Sequence, residues 1–214
     1  MLLSLVLFIY FKTTVTIVDA DIVPKEAEPV KKYIEGCMQK AVDDAITLIG
    51  LQGGFIKIPT NIAFSSSRYV NPDGLGIVKI PYWFYKGNRY NPTIESVQKE
   101  ISQYVEENTA SCLNNFEVFS DQYRVAELGK MDVEVILNKE DISVFMKYPI
   151  RIHYLSNNSN IKIESYFTKV DVGLRKVIEV ANKLLDAELR GVFLENFTID
   201  LMASNPDIPF TDMK

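Results

Sequence analysis

Basic runs are missing from this chain: none is longer than the pair Lys31-Lys32, and 23 lysines and arginines face 28 acidic residues. The net charge of -5 and a pI near 5.1 argue against nucleic acid and anionic membrane surfaces as partners, since both reward a basic face. Histidine occurs once, at His153, and cysteine twice, at Cys37 and Cys112. Two thiolates and one imidazole at those separations fit no usual zinc spacing, so neither a metal nor another cofactor is expected. No glycine-rich phosphate loop is present. Gly50-Leu51-Gln52-Gly53-Gly54 follows a helical stretch instead of opening one, so it aims no helix N-terminal amides at an anion and reads as a helix stop. There is no low-complexity tract, heptad array or short internal period.

An apolar run long enough to span a membrane is lacking too, but half of one is there. Met1 to Phe11 is uncharged and apolar, and stops at Lys12. A helix rising about 1.5 Å per residue would take it about halfway through a hydrocarbon core that needs roughly twenty residues. The positively charged start and small-residue cleavage site of a secretory signal are absent. Residues 1–18 therefore read as the outer half of a membrane anchor whose beginning is missing, and 19–29, with Pro24 and Pro29, as a polar linker. The rival reading makes the same stretch a buried first strand or helix of a soluble domain. The anchor reading places the protein at the cell membrane with its body extracytoplasmic.

An apolar content of 47% over 214 residues is enough to bury a real core, in one domain or two small ones. Cys37 lies on the helical stripe Val30, Ile34, Ala41, Ala45, Leu48, and Cys112 on the stripe Ile94, Val97, Ile101, Tyr104, Val105, Phe116. Both point into whatever these two helices bury, so a Cys37–Cys112 disulfide is expected in an exported chain, with two reduced thiols as the alternative. Asn157-Asn158-Ser159 and Asn196-Phe197-Thr198 are glycosylation sequons. Asn157 sits in a turn-like cluster; Asn196 is flanked by apolar residues that would shield it.

Helical spacing marks Glu28 to Ile49, then about Asn91 to Asn114 with Asn91-Pro92 as its start, then a third helix from Val172 expected to lie across a sheet. Phe55 to Pro59 reads as a short strand, and Ile77 to Tyr85 as a strand turning at Lys86-Gly87-Asn88. Ile142, Val144, Met146, Tyr148, Ile150, Ile152 and Tyr154 alternate without a break, as in an antiparallel strand buried on one face; its neighbours make a meander. The organisation expected is a partial anchor (1–18), linker (19–29), helical disulfide subdomain with an aromatic hairpin (30–120), sheet plus helix (121–203), and a truncated loop (204–214). The fold class is α+β.

Catalytic signals are weak. His153 falls on the strand face opposite the apolar one, and the carboxylate pairs Asp43-Asp44 and Glu106-Glu107 point apart on their helices. The strongest contact candidate is Tyr82-Trp83-Phe84-Tyr85 with Tyr90 beyond the turn. In a strand Tyr82 and Phe84 share one side, Trp83 and Tyr85 the other, and one side would be free for a sugar ring or a protein partner.

Val30-Lys-Lys-Tyr-Ile-Glu-Gly-Cys37, Ile49-Gly-Leu-Gln-Gly-Gly-Phe55, Tyr82-Trp-Phe-Tyr85 and Tyr104-Val-Glu-Glu-Asn-Thr-Ala-Ser-Cys-Leu-Asn-Asn-Phe116 follow in order. Together they resemble an uncharacterised envelope protein family of small-genome (DPANN-type) archaea with a type IV pilin-like N-terminus. The resemblance implies a membrane-anchored, extracytoplasmic chain and brings no site residues with it. The function expected is a non-catalytic structural or adhesion protein of the cell surface. The alternatives are a glycan- or ligand-binding module using the Trp83 to Tyr90 hairpin, and a carboxylate-based surface hydrolase.

Overall fold

The computed structural model describes residues 24–205 and 207, so the expected anchor, the first part of the linker (19–23) and most of the terminal loop lie outside the described residues. Five helices are described: α1 (Glu28–Leu51), α2 (Thr60–Ala63), α3 (Ile94–Leu113), α4 (Leu174–Gly191) and α5 (Phe193–Ser204). The strands are β1 (Tyr69–Val70), β2 (Ile80–Pro81), β3 (Phe84–Tyr85), β4 (Asn88–Arg89), β5 (Tyr123–Glu127), β6 (Asp132–Leu137), β7 (Ile142–Tyr154) and β8 (Asn160–Val170). The class is α+β with antiparallel sheets. Among the described residues no helix is long and apolar enough to cross a membrane.

The main sheet is built around β7. β8 pairs along one edge, while β6 and β5 share the other, pairing with its first and second halves. The meander β6–β7–β8 is therefore joined by β5, whose weaker alternation did not mark it as a strand. Pro149 sits where the ladders break: β5 ends opposite Ile150, β6 begins opposite Lys147, and the β8 register shifts between the same two residues. Proline has no N–H for a ladder, so a central strand accommodates it at a bulge.

One face of β7 is sealed. Ile142, Val144, Met146, Ile150 and Ile152 join Val30, Ile34, Met38, Val42 and Ala45 of α1 and Val97, Ile101 and Val105 of α3 in one core. Burying each large side chain contributes about 1.5–3 kcal/mol. The sheet is thus covered by the two disulfide helices and not by the C-terminal helix. α4 buries only Leu174 and Ile178 among its residues and α5 none, leaving Val177, Val180, Leu184, Phe197 and Leu201 exposed. The reason is occupancy: the apolar face is filled, and the opposite one presents Lys147, Arg151 and His153 alongside the cross-strand pair Phe145–Phe167.

α3 also closes a sheet edge. Gln98 donates to the Val135 carbonyl (2.7 Å) and Ser102 to that of Val133, and Glu106 accepts from the Val133 N–H (3.0 Å). Spaced four apart, these side chains occupy one helix face and pair with the row of backbone groups that β6 turns away from β7. Such an edge, left open, would template pairing with another chain. The start of α3 is fixed by a reciprocal Thr93–Ser96 capping box, two residues later than Asn91-Pro92 suggests; Asn91 instead donates to Asn182 of α4 (2.7 Å).

The Cys37–Cys112 disulfide is formed, with Cα atoms 5.8 Å apart. Cys37 is buried, but Cys112 is exposed, contrary to the expectation that both point inward. α3 is ending there: Asn114, Asn115 and Phe116 all have positive φ, so the chain leaves the helix and the Cys112 side lies at the rim.

Candidate functional site

Between the disulfide helices the chain makes an excursion, Gln52–Thr93, whose two ends are clamped together. Gly54 lies so near Pro92 that a Cβ there would come within 2.5 Å of the proline Cγ, and its φ of +97° is itself a glycine conformation. The Glu100 carboxylate accepts from the N–H groups of Ile56 (2.6 Å) and Lys57 (3.0 Å). Residues Phe55–Pro59 are therefore held by a side chain and form no strand.

The insertion contains two small ladders. β1 pairs with β2, and β3 with β4 across a two-residue turn at Lys86 (φ +49°) and Gly87 (φ +81°). Positive φ at both turn positions matches the right-handed twist of a hairpin. The aromatic strand expected from Ile77 to Tyr85 is broken by a bend at Trp83, and the simple alternation fails with it. Tyr82 and Tyr85 come to the same side, their rings stacked at 6.4 Å and 10°. Trp83 is half-buried and donates its indole N–H to the Gly53 carbonyl (2.8 Å), which braces the hairpin against the end of α1. Tyr90 stands with Tyr85 around Arg68, whose guanidinium carbon is 6.0 Å from each ring. A hydrogen bond with Ser67, followed by the charges of Lys86 and Arg68, holds the Tyr85 phenol below its ordinary value. The candidate site is thus an aromatic face threaded by a cation.

The loop from β1 to β2 is organised by one carboxylate. Asp73 accepts from the N–H groups of Leu75, Gly76, Ile77 and Val78 at 2.9–3.1 Å, which keeps it below the usual carboxylate range, the Val78 bond first. Lys79 reaches the Ala63 carbonyl (3.1 Å) and brings the end of α2 beside that loop. Here lie the most exposed large apolar side chains of the described residues: Phe64 at 90%, Leu75 at 79% and Ile77 at 76%.

Comparison with protein-family models, with curated proteins and with solved structures found no match to this chain. The site therefore stands on its own geometry. Among the described residues no group of three or more His, Cys, Asp or Glu side chains is placed to hold a metal ion. His153 lies across from Asn160, with 3.2 Å between its Nδ1 and the amide oxygen. Asn157 is exposed in the turn after β7, its Oδ1 accepting from Ser159. Asn196 is exposed on α5 rather than shielded, its amide donating to the Gly191 carbonyl (3.1 Å).

Arg68 and the apolar apex were not singled out in the sequence. The signal that marks them is local charge: Lys57, Arg68, Lys79, Lys86 and Arg89 face the single acid Asp73 within residues 52–93. A chain of net charge -5 thus holds a segment of +4, which the total conceals.

Proposed function

We propose that this protein is an extracytoplasmic structural or adhesion component of a cell surface, attached to the membrane through residues 1–18 and meeting its partners through the insertion Gln52–Thr93. The observation that carries the reading is the Cys37–Cys112 disulfide, because such a bond persists in oxidising compartments and is rare in a reducing cytosol. The geometry supports it further. α1 has 24 residues, about 36 Å of helix, and the insertion leaves from the end remote from residue 24. A body tethered at its start would present the insertion outward, as a pilin-like or adhesive surface protein requires. The test is mass spectrometry of the unreduced protein from its native membrane after thiol alkylation. A linked Cys37–Cys112 peptide, with Asn157 glycosylated, is the expected result; two alkylated thiols overturn the reading.

The stacked Tyr82–Tyr85 pair favours a second reading, a glycan-binding module, since sugar rings pack on exposed aromatic faces. Trp83 is the single tryptophan and sits within the hairpin, so its fluorescence reports there. A saturable emission change with oligosaccharides, lost in Tyr82→Ala, is the outcome this reading expects; an unchanged emission removes it.

A further inference from the structure

The insertion combines three properties that no packed core asks for. Its apex exposes Phe64, Leu75 and Ile77 on loops rather than on a flat face. Its charge is +4 while the rest of the chain is acidic. Its other prominent side chains are amphipathic rings: Tyr69, Tyr82, Trp83, Tyr85 and Tyr90.

We propose that the insertion docks on the surface of an anionic lipid bilayer, with Phe64, Leu75 and Ile77 entering the interface and Lys57, Arg68 and Lys86 meeting the headgroups. Apolar tips gain by leaving water for the acyl boundary, and cations beside them are drawn to anionic lipid. Tyrosine and tryptophan rings suit the zone between. Charge complementarity is what selects this occupant. The one carboxylate of the segment, Asp73, is already counted in the +4 and is turned onto four backbone amides, and Arg89 is paired with Asp186 at 2.6 Å. Lys57, Arg68, Lys79 and Lys86 form no salt bridge among the described residues, which leaves their charges available to an anionic surface. The loop is also preorganised. The Asp73 bonds hold Leu75 and Ile77 outward before any contact is made, which spares the ordering that a floppy loop would need on binding. This goes beyond the membrane attachment of residues 1–18: the insertion leaves the end of α1 remote from residue 24, so the bilayer it meets is a second one, apposed to the one that holds residues 1–18.

The chain has two cysteines, both in the disulfide, so a third can be labelled alone. Ser66, exposed between Phe64 and Arg68, suits a Ser66→Cys variant carrying an environment-sensitive nitrobenzoxadiazole dye. The full chain is reconstituted into phosphatidylcholine vesicles and mixed with target vesicles of phosphatidylcholine with or without phosphatidylglycerol, so that residues 1–18 contribute equally to every sample. The expected result is a blue-shifted, brighter dye only with phosphatidylglycerol, reversed by added salt. Adding Phe64→Asp and Leu75→Asp abolishes the shift, and Lys86→Gln, which removes one charge, raises the phosphatidylglycerol needed by about fivefold. Far-UV circular dichroism and an intact disulfide confirm that the variants fold. A dye that stays in water with both kinds of target vesicle overturns the proposal. So does a shift of equal size without phosphatidylglycerol, or one that persists in the Phe64→Asp, Leu75→Asp chain.

Discussion

Reducing the Cys37–Cys112 bond tests the assembly most directly, because the two helices it joins also cover the sheet. The cross-link spans a sequence separation of 75 residues, the whole insertion included. In the chain-entropy model a loop of that length restricts the unfolded state by about 4.5 kcal/mol at 25 °C. A domain of this size is stable by roughly 5–15 kcal/mol, so the bond supplies a third or more of the margin. At about 2–4 °C per kcal/mol the melting temperature should fall by about 9–18 °C on reduction. The native state should survive at room temperature, since the stripes that pack α1 on α3 and both on β7 do not depend on the sulfurs. Differential scanning calorimetry with and without reductant measures the loss. Exposed Cys112 makes Cys112→Ser the cleaner covalent test, with a loss equal to that of reduction. Cys37→Ser should cost more, because a hydroxyl would then stand at a buried position. A melting shift below about 3 °C would refute the loop argument, and would mean that the reduced unfolded chain already holds the two helices together.

Thr109 is fully buried and its hydroxyl has no partner among the described residues, so Thr109→Val should stabilise by about 1 kcal/mol in urea titrations; a loss of stability would show a hidden partner. Tyr154 is buried, its hydroxyl without a hydrogen-bond partner among the described residues, and its phenol is pushed up to about 12, by burial first and then by Tyr123 and Glu26. The unfolded chain ionises near the ordinary value of 10, so stability should be lost as pH rises from there toward 12, and Tyr154→Phe should flatten that limb of the urea midpoints. The Asp73 carboxylate is held low, so its bonds persist above the ordinary aspartate value of 3.8 and are lost as pH falls through the depressed one; the amide resonances of Leu75 to Val78 should titrate together below 3.8. Gly54→Ala should destabilise by about 2–3 kcal/mol, against about 1 for Gly74→Ala, which also has positive φ but open space around it; equal losses would remove the Pro92 contact from the argument.

Much of the main body was legible because its elements bury one face each. Seven even-numbered positions from Ile142 to Tyr154 are all buried, so a period of two in the sequence is the period of the sheet. The two cysteine stripes predicted the helices that meet and the bond between them. Where periodicity misled, it named an apolar face without its occupant. α4 has a pronounced apolar stripe, yet only Leu174 and Ile178 find the core, because α1 and α3 had filled the place. In the insertion the strands are two residues long, shorter than any period, and one bend at Trp83 is enough to move Tyr82 onto the side of Tyr85. Total charge failed there for a related reason: summing over the chain averages out a segment of opposite sign.

The same two helices answer three demands at once, and this explains how so irregular an insertion is tolerated. They bury the sheet, they are joined by the disulfide, and α3 satisfies the backbone of β6 through Gln98, Ser102 and Glu106. Each demand fixes α3 relative to α1 without help from the loop between them. The insertion is thereby relieved of folding work. Its ends need only to meet, at Gly54 and Pro92 and through Glu100, and its interior is free to leave Phe64, Leu75 and Ile77 in water. Exposing such side chains costs stability that the helical frame can absorb, whereas a small sheet standing alone could not. That separation of a braced frame from an unconstrained, cationic and aromatic loop is the arrangement expected where contact with an outside surface, and not the fold, sets the loop's sequence.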